Sequence, residues 1–172
     1  SPGVLLFLAG CIYFFCFLWT ARLYAYDDFS DWGLIVKSLL AENAFPSGGE
    51  SIVTFPTYPP GSALFCYYFG LFTQGGEPVW LGAQMVLLCA GASSLFALTG
   101  SGKRAILSGF LAAGAGLLML TLLQQALSTL LVDTLLPVVA LANLPVLLVY
   151  RNQAKRAALL SLPLLTMTIL IK

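Results

Sequence analysis

The sequence predicts an all-α, polytopic helical membrane protein with about five transmembrane helices and one external loop carrying a juxtamembrane amphipathic helix. Three observations predict it. The 172 residues are 59% hydrophobic and only 9% charged, with a mean hydropathy of +0.93. The apolar residues are gathered into long runs, and a crossing needs roughly 20 such residues. Six of the seven carboxylates are concentrated in one stretch, residues 24–78.

Four runs are long enough to cross: Val4–Thr20, Val79–Leu98, Ala105–Leu123 and Leu130–Tyr150. A fifth, Ala157–Ile171, ends with the chain. The first has no basic leader and no small-residue cleavage pattern, so it reads as a retained span rather than a signal peptide. With Ser1-Pro2-Gly3 at one end and an apolar run at the other, residues 1–172 read as the N-terminal part of one longer transmembrane domain. The run Gly61–Phe72 would reach only about 18 Å as a helix, short of the hydrocarbon core, and is expected at the interface. If it does not cross, Lys103, Arg104, Arg151, Lys155 and Arg156 share one side and the acidic loop takes the other. The positive-inside rule then places the basic turns in the cytoplasm and the loop outside a cell (inner or plasma) membrane. Ser108, Ala112 and Gly116, and in parallel Gly109 and Ala113, have the small-residue spacing that lets helices approach. Pro137 and Pro145 should loosen the fourth span.

Composition excludes several chemistries. There is no histidine, which removes Ser-His-Asp and Cys-His catalysis and the commonest metal ligand. The four cysteines lie in apolar stretches without metal-ligand spacing. No basic patch points to nucleic acid.

The loop opens Tyr26-Asp27-Asp28-Phe29-Ser30-Asp31-Trp32-Gly33. Behind it Trp32, Ile35, Val36, Leu39 and Leu40 follow the spacing of a one-faced helix, expected to lie on the outer membrane surface with Trp32 at headgroup level. Asp28 or Ser30 could cap that helix, and Asp31 in its first turn suits the dipole. Caps account for one or two of the three aspartates, not the set. The other reading is a general base: adjacent carboxylates at a low-dielectric boundary cannot both ionise freely, which poises one to take a proton. Arg22 stands on the same side as a counter-charge or phosphate ligand, or as a snorkelling cation. Tyr58-Pro59-Pro60-Gly61 forms a stiff lead into a short helix whose free N–H groups could hold an anion. Asp133 falls near the outer end of the fourth span, either as a functional carboxylate or where the helix emerges into headgroups.

Taken in order, these patches resemble the GT-C superfamily of membrane glycosyltransferases, nearest the branch of protein O-mannosyltransferases and aminoarabinose transferases. Asp27-Asp28 match its acidic pair, Tyr58-Pro59-Pro60-Gly61 its Pro-Pro motif, and Asp133 the position of a later acidic residue. The lysine often found before Pro-Pro is Tyr58 here, so no phosphate role carries to that position. The resemblance implies an inverting transferase that moves a sugar from a polyprenyl-phosphate donor to an acceptor hydroxyl. It implies Asp27 or Asp28 as base, with Asp27 favoured, and Asp133, Arg22, Tyr58, Pro59, Pro60 and Gly61 around the substrates. It implies neither cofactor nor metal, and as partners the lipid bilayer, the lipid-linked donor and an acceptor it does not identify. A transporter or flippase fragment, with Asp27, Asp28 and Asp133 binding a cation or substrate, is the second reading. A scaffold whose loop only caps a helix is the third.

The orientation has a direct test. In a cysteine-free background, an impermeant thiol reagent should label Glu50→Cys and Lys103→Cys from opposite faces; labelling from the same face overturns it.

Overall fold

A computed structural model describes residues 2–46, 52–58, 60–99, 102–122, 127–130 and 132–171, with helices and turns but no strand among them. In chain order the helices are α1 (Pro2–Phe17), α2 (Gly33–Glu42), α3 (Gly61–Thr73), α4 (Glu77–Ser94), α5 (Lys103–Leu122), α6 (Val132–Leu141), α7 (Asn143–Val149) and α8 (Ala154–Ile171). A π-helical turn, Asp28–Trp32, leads into α2, and a 3-10 turn, Leu95–Leu98, extends α4.

Among the described residues, three helical stretches are long and apolar enough to cross a membrane: Glu77–Leu98, Val132–Val149 and Ala154–Ile171. Their outer faces agree with lipid as the solvent. Leu159 on α8 is 71% exposed and Ile169 69%, positions a water-soluble bundle would rarely fill with such a run of large aliphatics. Helix α1 is apolar throughout but shorter, 16 residues, or about 24 Å. The stretch Val132–Val149 is broken at Ala142. Pro145 has no N–H for the Leu141 carbonyl four residues back, and α6 ends at that residue.

The helices alternate in direction. Gly3 at the start of α1 lies against Ser93 and Phe96 at the end of α4, while Phe15 lies against Gly82 nearer the start of α4. Gly91 on α4 meets Val138 on α6. Around these crossings the core is built from Phe14, Leu18, Leu81, Met85, Leu88 and Leu135. Of the two small-residue stripes on α5, one packs: Gly109 faces Phe96 and Thr99 and Ala113 is buried, whereas Gly116 faces open space and Ala112 is exposed.

Helix α3 is 13 residues, about 20 Å, and does not run with the others. Its start lies against Leu170 near the end of α8; its far end lies against Leu40 of α2 and Trp80 near the start of α4. Both contacts are at the same end of the bundle, so α3 lies across that end. This corrects the expectation for α2. Its apolar face (Ile35, Val36 and Leu39) is buried rather than laid on lipid, because α3 packs beside it. The helix stops at Asn43, whose left-handed backbone (φ 53°) suits a C-cap, and Tyr67 of α3 donates a hydrogen bond to the Asn43 amide oxygen.

Gly61 marks a close approach of the α3 and α8 backbones. A Cβ there would stand 2.7 Å from the Leu170 carbonyl oxygen and 2.9 Å from its carbon, and backbone cannot step aside. Gly61→Ala should therefore cost about 1–3 kcal/mol, read as a lowered unfolding midpoint in detergent. Gly114→Ala, whose Cβ would meet nothing within 4 Å, should cost nothing measurable.

Candidate active site

Asp27, Asp28 and Asp31 lie on or beside the π-helical turn, and the turn gives each a different task. It closes because Gly33 follows: the Gly33 N–H donates to the Asp28 carbonyl, and a Cβ on Gly33 would stand 2.5 Å from that oxygen. Single π turns of this kind recur at functional sites. Successive side chains on a helical turn point in different directions. Asp28 therefore faces inward, with 1% of its surface exposed, while Asp27 faces out.

The inward carboxylates do not cap their own helix; they bind distant backbone. Asp28 Oδ1 accepts a hydrogen bond from the Leu130 N–H at 2.8 Å, 102 residues away. Asp31 Oδ1 accepts from the Phe55 N–H at 2.7 Å, and its Oδ2 accepts from the Ser30 hydroxyl at 3.0 Å. Next to this, the Thr54 N–H donates to the Ser30 carbonyl at 3.0 Å. The segment leading to Tyr58 is thus tied to the turn by two bonds. A third carboxylate, Glu77, accepts from the Leu23 N–H at 3.0 Å and pairs with Lys37 at 3.3 Å.

These ties enclose a cavity of about 140 Å³. Asp27, Asp31 and Asp133 line it, with Val132 beside Asp133. Trp32, Tyr58 and Phe55 form an aromatic wall. Tyr58 stacks on Trp32 at 5.4 Å between ring centroids and on Phe55 at 5.0 Å, with interplanar angles of 17° and 23°. The volume is below the roughly 300–1,000 Å³ of a pocket for a whole drug-sized ligand. It can take one ring or the reacting end of a larger molecule.

The structure brings together Asp27, Asp133 and Tyr58 from three separate parts of the sequence. It leaves the other expected residues elsewhere. Asp28 is buried away from the cavity lining, on the Leu130 amide. Arg22 is exposed and does not line the cavity. Pro60 accepts the Leu64 N–H at the start of α3. Gly61 packs against α8, so the start of α3 is covered rather than open to an anion. Pro59 lies outside the described residues. Phe55 and Glu77 had no assigned role in the sequence reading: Phe55 matters through its backbone N–H and its place in the stack, for which no motif exists.

Compared with known protein families, curated proteins and solved structures, the chain matches none. Its fold and site define a class from the residues alone: an all-helical, membrane-type chain with a cavity of carboxylates and aromatic rings at one end of its bundle.

Burial pushes the Asp28 carboxyl above the usual carboxylate range; hydrogen bonds from Leu130, Thr129 and Ala25 pull it back only in part, and the Asp27 charge adds a small upward push. Among the described residues, Asp28 Oδ2 has no hydrogen-bond partner. The folded chain therefore holds this proton more tightly than the unfolded chain. The stability this contributes is fully present below the ordinary carboxylate range and is lost as pH rises through the raised value. Asp28→Asn, which keeps an acceptor for Leu130 and carries no charge, should remove that dependence, so its stability relative to the parent should rise with pH across the window. Asp28→Leu should cost about 1–3 kcal/mol by leaving the Leu130 N–H buried and unpaired. Thermal melts across a pH series check both.

Proposed function

We propose that the chain is part of a membrane glycosyltransferase that moves a sugar from a polyprenyl-phosphate donor to an acceptor hydroxyl. The observation that carries this reading is the meeting of Asp27 and Asp133 with the Tyr58–Trp32 stack in one cavity. A sugar ring presents an apolar face to aromatic rings and hydroxyls to carboxylates, and this cavity offers both surfaces within the space of one ring.

In the proposed step the Asp27 carboxylate takes the proton of the acceptor hydroxyl. The hydroxyl oxygen attacks the anomeric carbon as the bond to the lipid phosphate breaks, the leaving phosphate keeps the electron pair, and configuration at that carbon inverts. Asp133, across the cavity, holds the sugar hydroxyls, and Tyr58 supports the ring. On this reading the chain crosses a cell membrane five times, α1 and α5 joining the three stretches that are long and apolar enough. The basic turns face the cytoplasm and the cavity opens on the other side. The opposite placement of the two charge groups along the helices supports it: Lys103, Arg104 and Arg151 stand at one end of the bundle, Asp27 and Asp133 at the other.

Position in the bundle also separates this reading from a transporter. Transporter carboxylates gather near the bilayer midplane, whereas Asp27 precedes α2 and Asp133 occupies the first turn of α6.

Asp27→Asn in the full-length protein should lower sugar transfer by roughly 10²–10⁴-fold, the usual contribution of a general base, with expression and thermal stability unchanged. Transfer from a radiolabelled polyprenyl-phosphate sugar in isolated membranes measures it. Parent-level transfer by Asp27→Asn would remove Asp27 as the base.

A further inference from the structure

We propose that Asp28 is a positioning residue of this site: through its hydrogen bond to the Leu130 amide it sets how far Asp27 stands from Asp133. The role rests on the transfer reading above, and the geometry behind it is independent of that reading. Asp27 and Asp28 are neighbours on one closed turn, so wherever the Asp28 carboxylate is held, Asp27 is held too. Leu130 stands three residues before Asp133, just ahead of α6. Asp27 and Asp133 belong to segments more than 100 residues apart, and no local structure links them. Asp28 does: its carboxyl accepts from the Leu130 amide at 2.8 Å and is also hydrogen-bonded by the Thr129 side chain. On the same segment, Gln84 Nε2 of α4 donates to the Thr129 carbonyl at a longer 3.4 Å.

A direct chemical role fits Asp28 less well. Its side chain is 1% exposed and does not line the cavity, so no acceptor hydroxyl reaches it without the turn unwinding. Asp31 supplies an internal comparison. It ties the Phe55 amide and hence the Tyr58 wall, and among the described residues its hydrogen bonds go to Phe55 and Ser30 rather than to the Leu130 segment. Loss of the Asp31 tie should disturb the aromatic wall and leave the spacing of Asp27 and Asp133 alone.

The test has two arms in the full-length protein. In the first, Asp27→Cys and Asp133→Cys are combined in a cysteine-free background, and a short bifunctional thiol reagent reports their spacing without any need for transfer. Cross-linking should be as fast with Asp28→Asn as with Asp28, and clearly slower and spread over longer reagents with Asp28→Leu. In the second arm Asp27 and Asp133 are intact. Asp28→Asn, which preserves the acceptor oxygen, should retain most of the transfer activity. Asp28→Leu should lower kcat roughly 10²-fold, the usual effect of an ångström-scale misplacement, with little change in donor KM. Where Asp28→Leu does not fold, Asp28→Ser carries both arms, since its hydroxyl is too short to reach the Leu130 amide.

Cross-linking that does not distinguish Asn from Leu or Ser overturns the proposal. So does Asp28→Asn that abolishes transfer while cross-linking is intact, because Asp28 would then take part in the chemistry. If the parent protein transfers no sugar, the transfer reading fails while the cross-linking arm still decides whether Asp28 sets the spacing.

Discussion

The acidic end of this molecule depends on one hydrogen bond, from the Leu130 amide to Asp28. It joins the turn that follows α1 to the segment that starts α6, at the end of two helices that both pack on α4. The bond lies at the edge of an apolar core, where a missing partner is costly and a made one is strong. Burial there raises the pKa of the Asp28 carboxyl and so lowers the cost of holding it in the core. The bond fixes the backbone three residues before Asp133, while packing on α4 and α8 holds the rest of α6.

The same device recurs around it. Asp31 holds the Phe55 amide and Glu77 holds the Leu23 amide, so three of the carboxylates act as ties between irregular backbone and helix ends. The physical reason is the solvent. Helices that face lipid satisfy their own backbone groups, but turns and extended segments at the end of a bundle do not. A carboxylate with two acceptor oxygens is an economical partner for such orphaned N–H groups. Asp27, Asp31 and Asp133 line the cavity and Asp28 does not, because the turn at Asp28–Trp32 points the neighbours Asp27 and Asp28 in different directions.

Much of the architecture was legible in residue order. The long apolar runs foretold the helices, and the helix starting at Gly33 carried its buried face in the spacing of Ile35, Val36 and Leu39. The run after Gly61 was too short to cross and was expected at the interface; that it lies across the end of the bundle came from its contacts. What covers the face of α2 was not legible. An apolar face has the same sequence pattern whether lipid or another helix lies on it, and only the packing of α3 decided between them. The candidate site was legible as a set, since Asp27, Tyr58 and Asp133 stand out as polar residues in an apolar chain. Their division of labour was not, because the acid that faces the cavity and the acid that clamps the fold are adjacent and identical.

The sequence by itself therefore determined the class of molecule, an all-helical chain of membrane character with its acidic residues gathered at one end. Hydropathy and charge act residue by residue and can be read in order. Only the tertiary structure decided which aspartate faces outward, that Phe55 is gripped by its backbone, and that Gly61 serves packing rather than a ligand. Those outcomes hang on contacts between segments tens to a hundred residues apart, and on which amide happens to lie opposite which carboxylate once the helices have packed.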